Sequence, residues 1–336
     1  MSGGRRWREV LVSLAFCGPA IALYLGFVIL PAVLGFAYGL TDWSGWSGGG
    51  RGADLWALGG ALARFDFGAA RAAAEAFLGA RFVGLTNYAA LARDTTFADF
   101  SGWGAFRRSA LGFTLFETVL IVAAFTFGSL VLAVLLDRVK KATGLVRGLF
   151  FYPFVLSLLV SSLLFLYLGN YREGAVNKLL EWVGLGAWRQ DWIMSPTWAP
   201  WTIFALMVWT CTGFYTTIYL ANLQAIPEEL YEAACLDGAG PVAVFRAIQL
   251  PLVMPTVLTN SVLALINGIN LFGQVVVMTH GGPGTQTYTL GYYIYHLGRL
   301  NNQQGYASAM SFVVFVLLAA IAIAQAALLR RKQVQL

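Results

Sequence analysis

Charge is scarce in this chain. Of 336 residues, 22 are Lys or Arg and 16 are Asp or Glu, 11% in all, whereas a soluble domain carries about 25%. So few charges cannot cover the surface of a soluble protein of this size, which excludes a cytosolic globular enzyme. The net charge of +6 comes from scattered bases and short clusters rather than one continuous patch, so nothing points to nucleic acid. Cysteine is sparse as well. Cys17, Cys211 and Cys235 form no metal-ligand spacing with each other or with His280 and His296, and they are read as free thiols. No Gly-x-x-x-x-Gly-Lys-Ser/Thr loop is present to cradle nucleotide phosphates, and Gly238–Gly240 is no substitute because no Lys follows at the needed offset.

What the chain does have is apolar length. Hydrophobic residues make up 58%, with 11 Trp, 14 Tyr and 24 Phe, and the aromatics suit interfacial belts. A helix needs about 20 apolar residues to cross the hydrocarbon core. Six runs qualify: span 1, Leu11–Leu40; span 2, Ala110–Leu136; span 3, Leu149–Leu168; span 4, Pro200–Leu220; span 5, Leu252–Met278; and span 6, Tyr306–Leu329. The first follows Arg5-Arg6-Trp7-Arg8 and is charge-free from Val10 to Thr41. That is longer than the roughly 7–15 residues of a signal-peptide core, so it reads as a retained span. Bases in the N-terminus, in the loop between spans 2 and 3 (Arg138, Lys140, Lys141, Arg147) and in the tail (Arg330, Arg331, Lys332) put these on one side. By the positive-inside rule both termini are cytoplasmic. The chain thus divides into an N-terminus with span 1 (1–43), an extracytoplasmic loop (44–109), a core of spans 2–6 (110–329) and a tail (330–336).

The loop between spans 4 and 5, residues 222–251, breaks the charge pattern with Glu228, Glu229, Glu232 and Asp237 against a single Arg246. Pro227 suits a first helical position, and Glu228 and Glu229 would then face the positive end of the helix dipole. Ala233 and Ala234 favour helix and leave a thin face that another surface can approach. Gly238 and Gly240 end the helix, and Val242–Ile248 can form a second short helix that stops before Pro251. Such a helix–bend–helix is either a docking element or a cap on the bundle.

These residues carry a resemblance. Glu232-Ala233-Ala234, Gly238, Ile248 and Leu250-Pro251 stand at the spacings of the EAA loop of permease subunits from bacterial binding-protein-dependent ABC importers. Thr41-Asp42-Trp43, Phe82-Val83-Gly84-Leu85-Thr86-Asn87-Tyr88, Thr279-His280-Gly281-Gly282-Pro283 with Thr287, and Tyr306–Ser311 are similar to the maltose-type sugar branch of that family. Residues 44–80 look like an insertion, whose Ala-rich part could be a surface helix with Arg71 and Glu75 as an i,i+4 pair. The resemblance implies an all-α polytopic membrane protein with six transmembrane helices of the type I ABC importer permease kind and a cytoplasmic coupling helix between spans 4 and 5. It implies a non-catalytic subunit in the bacterial cytoplasmic (inner) membrane. It further implies that the chain binds no cofactor of its own and that ATP and Mg are held by a partner ATPase dimer. The implied partners are a second homologous permease, that ATPase and an extracytoplasmic solute-binding protein. Coupling to the ATPase would fall to Glu228, Glu229, Glu232, Ala233, Ala234, Asp237, Gly238 and Ala239. Contact with the binding protein would involve Gly281, Gly282 and Pro283.

For the pathway, Asn260, Asn267, Asn270 and Gln274 are spaced 7, 3 and 4 apart, one face of a continuous helix. Amides in a membrane helix must meet protein, water or solute, so these either bond neighbouring helices or line a route for hydroxyl-rich solutes. Trp209 and Tyr215 are the aromatics that could stack on sugar rings. Glu117 is the one acid well inside a span, and it is expected to pair near the interface with Arg107 or Arg108. No Lys or Arg falls within a proposed span, which favours a neutral sugar, a di- or oligosaccharide, over a phosphorylated or acidic solute. An ABC permease for glycerol phosphate or another small solute, and an ion-coupled secondary transporter, remain as alternatives.

Overall fold

The computed structural model describes residues 16–45, 60, 64, 66–137 and 143–330. Among the described residues, five helices are long and apolar enough to cross a membrane: Phe16–Gly39, Ala110–Asp137, Ala199–Leu223, Pro241–Met278 (with a break within it) and Gln304–Ala324. These are spans 1, 2, 4, 5 and 6. Span 3 is not one straight helix. It is a pair, Gly148–Val155 and Leu158–Leu168, bent by 103°. Pro153 lies inside the first half; it lacks an N–H and its ring crowds the carbonyl one turn back. Ser157 then turns extended (φ −63°, ψ 147°), and its Oγ accepts from the Val160 N–H at 3.3 Å to cap the second half.

The bent pair is nevertheless one crossing. Arg108, just before span 2, and Pro196, just before span 4, line the same cavity. Spans 2 and 4 therefore start at one membrane face, and the chain must cross once between them.

Span 5 also differs from expectation. The helix opened by Pro241 does not stop before Pro251. A π turn, Phe245–Gln249, closed by Leu250 N–H to the Phe245 carbonyl, carries it into Leu250–Ile269. The wide turn changes the register just where Pro251 would leave a carbonyl without a donor. The helix then ends at Asn270, and Gly273–Met278 is a separate segment. Asn270 turns its own amide back onto the Ile266 carbonyl at 3.0 Å. Gly273 lies against span 3, where a Cβ would sit 2.7 Å from Leu158.

The chain divides into two compact units. Asp94–Tyr293 with Ala320–Leu336 holds spans 2–5. Its helices approach closely through glycine. A Cβ on Gly213 in span 4 would meet the Phe150 carbonyl oxygen at 1.9 Å, and one on Gly268 in span 5 would meet Thr118 Cα at 2.7 Å. A cluster of Leu130, Ala133, Tyr219, Leu220, Leu223 and Val253 joins the distal halves of spans 2 and 4 to the start of span 5.

The other unit, Met1–Arg93 with Ile294–Ala319, holds span 1 and most of span 6. In it the Thr41-Asp42-Trp43, Phe82–Tyr88 and Tyr306–Ser311 segments meet. Thr41 pairs with Phe82 in an antiparallel bridge. Asn87 Nδ2 donates to the Gly39 and Thr41 carbonyls at 2.9 and 2.8 Å, and Gly305 N–H donates to the Trp43 carbonyl at 2.8 Å. Within the 44–80 insertion, Phe67–Leu78 forms the expected helix, capped by Asp66 and by left-handed Gly79. Arg71 and Glu75 make the expected ion pair at 3.1 Å. Glu75 also accepts from the Phe82 N–H at 3.0 Å, and these two bonds hold its carboxyl below the usual range. The rest of the insertion, 46–59 with 61–63 and 65, lies outside the described residues, as do the N-terminal arginines, Arg138 with Lys140 and Lys141, and most of the tail.

Candidate functional site

The acidic loop forms a helix over Glu228–Leu236. Pro227 caps it rather than opening it, because its ψ of 134° is extended and the first helical residue is Glu228. The C-terminus is a Schellman motif. Ala239 N–H bonds the Ala234 carbonyl at 2.9 Å, Gly238 N–H bonds the Cys235 carbonyl at 3.0 Å, and Gly238 sits at φ +69°. A Cβ there would meet open space, so the backbone angle alone demands glycine. Glu228, Glu229, Glu232, Ala233 and Asp237 are exposed, as is Gly238, while Ala234 is buried and Ala239 is half-buried. Leu236 adds an apolar side chain that is 89% exposed. The helix therefore presents an acidic face with apolar points and backs onto its own chain through Ala234. Ile226 before it and Phe245 after it pack on the Leu130–Val253 cluster, so both ends of the loop are fastened to the spans.

A cavity of about 190 Å³ lies at the bend of span 3, between Pro153, Ser161 and Ser162 on one side and Thr210, Asn267 and Gln274 on the other. Asn267 Nδ2 donates to the Tyr215 hydroxyl at 2.8 Å, and Gln274 Nε2 lies 3.1 Å from Met207 Sδ. Ser161 Oγ, Ser162 Oγ and Gln274 Oε1 are buried and without a hydrogen-bond partner among the described residues. The break after Ile269 separates the four amides. Asn267 and Gln274 line the cavity. Asn260 is fully buried and donates to the Tyr215 carbonyl at 3.4 Å, so it ties span 5 to span 4. Asn270 is exposed and bonds its own helix. Neither aromatic lines the cavity: Tyr215 is buried and stacks on Phe125 at 4.6 Å, and Trp209 packs on Phe165 at 5.6 Å. Tyr215 instead positions Asn267 through its hydroxyl. Ser161, Ser162 and Thr210 give no strong signal in the sequence, because a hydroxyl in an apolar run breaks no pattern. The only hint is the repetition Ser157, Ser161, Ser162.

The 279–289 loop is tightly built. Gly281, at φ +80°, is buried, and a Cβ there would strike the rings of Tyr288 and Tyr292 at 2.3 and 2.5 Å. Thr287 Oγ1 donates to the Gly282 carbonyl at 2.9 Å, and Tyr292 donates to the His280 carbonyl at 2.6 Å. Gly282 and Pro283 are half-buried, and Gly284 and Thr285 form the exposed tip. Gly281 thus shapes the loop, and the surface available to a partner is one to four residues further on. Nearby, Tyr293 donates to Asp94 Oδ2 at 2.6 Å, and burial together with that carboxylate holds its phenol above the ordinary range.

Glu117 does not make the expected ion pair. It is fully buried on the stripe Phe113, Thr114, Glu117, Thr118, Ile121, and its oxygens have no hydrogen-bond partner among the described residues. The Arg107 guanidinium lies over the Phe116 ring at 5.5 Å instead, because adjacent helical residues point about 100° apart.

A bundle of apolar spans with an exposed acidic helix between spans 4 and 5 matches known proteins. Residues 125–334 match the family described as "Binding-protein-dependent transport system inner membrane component". The chain belongs to this family. As a permease it is 33% identical to the multiple sugar-binding transport system permease protein MsmF of Streptococcus mutans, over 75% of this chain and 83% of that one. It is 31% identical to the lactose transport system permease protein LacF of Rhizobium radiobacter, over 73% and 80%. It is also 31% identical to the trehalose/maltose transport system permease protein MalF of Thermococcus litoralis, over 69% and 81%. The permease shares its fold with a bacterial ABC transporter chain from a complex that imports the acidic polysaccharide alginate, at TM-score 0.72 and 21% identity, covering 98% of this chain and 100% of that one. The match begins at Phe125 and so includes the acidic helix, the bend of span 3 and the polar cavity.

Proposed function

We propose that this permease forms, with a second permease, the route by which a neutral di- or oligosaccharide crosses the cytoplasmic membrane. A solute-binding protein delivers the sugar, and a separate ATPase dimer, which holds the ATP and Mg, drives transport. The observation that carries the reading is the Glu228–Leu236 helix, acidic and exposed on one side and fastened at both ends to spans 2, 4 and 5 through Ile226 and Phe245. A helix held this way moves with the spans. Docked in a groove of the ATPase, it converts ATPase closure into a rigid-body displacement that switches the pathway between faces. It does so by being bound in both states and displaced between them. In this reading the helix and both termini are cytoplasmic, as the lysines and arginines of the short loops favour by the positive-inside rule.

The sugar class rests on the cavity and on the relatives. Hydroxyls and amides suit a solute made of hydroxyls, and relatives are named for lactose, trehalose/maltose and multiple sugars. A volume of about 190 Å³ is smaller than the roughly 300–1,000 Å³ of small-molecule sites, which fits half of a site completed by the second permease. Gly284 and Thr285 are the residues offered to the binding protein.

The test is co-purification of the ATPase with this chain, wild type against Glu232→Lys/Gly238→Asp. The first change reverses a charge on the exposed face. The second imposes a side chain at φ +69°, at a cost of about 1 kcal/mol, and frays the end of the helix. Wild type is expected to recover the ATPase and the double variant to lose it while still folded. Recovery of no ATPase by a wild-type chain that transports alone would replace this reading with a secondary carrier.

A further inference from the structure

Two cavities meet at the membrane face where spans 2 and 4 begin. One, of about 420 Å³, is lined by Arg107, Arg108, Thr197 and Gln286 with Phe116 and Trp201. The other, of about 380 Å³, is apolar and is lined by Trp192, Trp198, Trp201 and Phe165 among others. Trp201 is a wall of both. No carboxylate is among the lining residues of either; Asp99 and Glu117 act on Arg108 and Arg107 through space from outside the lining.

The chemistry changes with depth. Arg107 and Arg108 end the short Trp103–Arg108 helix immediately before span 2 starts at Ala110. Phe116 lies six residues into span 2 from Ala110, about 9 Å along that helix. Its ring carries Arg107 at 5.5 Å and meets Trp201 edge-on at 6.1 Å. At the interface there are thus two cations with amide and hydroxyl donors, and below and beside them aromatic and apolar walls, with Thr202 the one polar side chain of the second cavity other than the tryptophans and its hydroxyl bonded to the Trp192 carbonyl at 2.7 Å. Trp103 and Phe100, 72% and 79% exposed, mark this level as a membrane interface.

We propose that this pair of cavities binds an anionic phospholipid, with the headgroup phosphate between Arg107 and Arg108 and an acyl chain in the Trp-lined cavity past Trp201. A saccharide would have little to bond in the apolar cavity. A zwitterionic lipid carries its own cation, which the arginines repel. An anionic lipid satisfies both compartments at once, by charge-assisted hydrogen bonds to guanidinium and by apolar burial. The site is separate from the polar cavity at the bend of span 3, since the two share no lining residue, and the inference does not depend on the identity of the transported solute.

The experiment titrates the full chain, in a neutral detergent at low salt, with dioctanoyl phosphatidylglycerol, dioctanoyl phosphatidylcholine and glycerol 3-phosphate, followed by calorimetry. Phosphatidylglycerol is expected to bind about tenfold or more tightly than phosphatidylcholine, from two cations at the surface, and the preference should shrink as salt is raised. Arg107→Gln/Arg108→Gln should bring the two lipids level, and Trp201→Ala should weaken both. Arg108 is exposed, so Arg108→Gln alone, expected to lose several-fold in preference, serves if the double variant does not fold. Equal binding of the two lipids by wild type, or an undiminished preference in the arginine variants, would overturn the proposal. Displacement of phosphatidylglycerol by equimolar glycerol 3-phosphate would instead assign the arginines to a free phosphate. If native mass spectrometry of the assembled importer retains phosphatidylglycerol on wild type and loses it with Arg108→Gln, the site is a lipid site in the complex. Loss of the lipid from wild type on assembly would assign the surface to a protein neighbour.

Discussion

Asn267 and Asn270 are three residues apart and have the same side chain, yet they occupy different environments. Asn267 shares a cavity with two buried, unpartnered serine hydroxyls and is held by Tyr215 at 2.8 Å. Asn270 ends its helix and bonds one turn back along it. Asn267→Leu is therefore expected to reduce sugar uptake at least about tenfold, from a lost polar contact and an orphaned Tyr215 hydroxyl, whereas Asn270→Leu should leave uptake within about twofold. Both are to be measured with the assembled importer at matched expression. Equal effects would mean that the cavity at the bend is not on the route. The sequence offered four amides as one face. It could not separate them, because that face exists only while the helix is unbroken, and nothing in the sequence marks the break at Asn270, after which Gly273 comes against Leu158 of span 3.

Helices were legible wherever one local signal dominated. The acidic loop announces its helix through glutamates at the start, alanines in the middle and glycine at the end, and the Schellman closure at Gly238 follows from those residues alone. The insertion helix likewise carries its own cap, Asp66, and its own ion pair. Span 3 was less legible, because apolar residues read alike on either side of a bend. Pro153 and Ser157 are the signals, and they flank the point where the chain turns by 103°. The bend also depends on close packing by span 4. Gly213→Val would press a side chain into the Phe150 carbonyl. It should destabilise the bundle by about 1–3 kcal/mol through overpacking, read as a lower thermal midpoint in detergent, while Gly240→Ala, at a position with open space, should shift it little. A midpoint unchanged by Gly213→Val would show that the two helices do not pack as described.

At the scale of the whole molecule, the crossing by the bent pair fixes which segments share a membrane face. Cys235, on the exposed Glu228–Leu236 helix, and Thr285, at the exposed tip of the 279–289 loop, are separated by span 5 and so lie on opposite sides, and the proposed orientation has Cys235 in the cytoplasm. An impermeant maleimide should label Thr285→Cys in whole spheroplasts and Cys235 only in inverted vesicles. The reverse pattern, with a cysteine placed at the N-terminus still labelled only in inverted vesicles, would make the bent pair a re-entrant loop. By itself the sequence determined the membrane class, the segments that cross and the acidic loop that identifies the family. Apolar length, loop charge and fixed motif spacing are local along the chain and survive without a partner. The tertiary structure decided which amides share a cavity, that Gly281 lies beneath two tyrosines, that Glu117 makes no hydrogen bond among the described residues, and that arginines and tryptophans from the starts of two spans line adjoining cavities. Those outcomes depend on close approach between segments far apart in sequence, where a backbone oxygen less than 2 Å from a missing Cβ settles what residue type and spacing leave open.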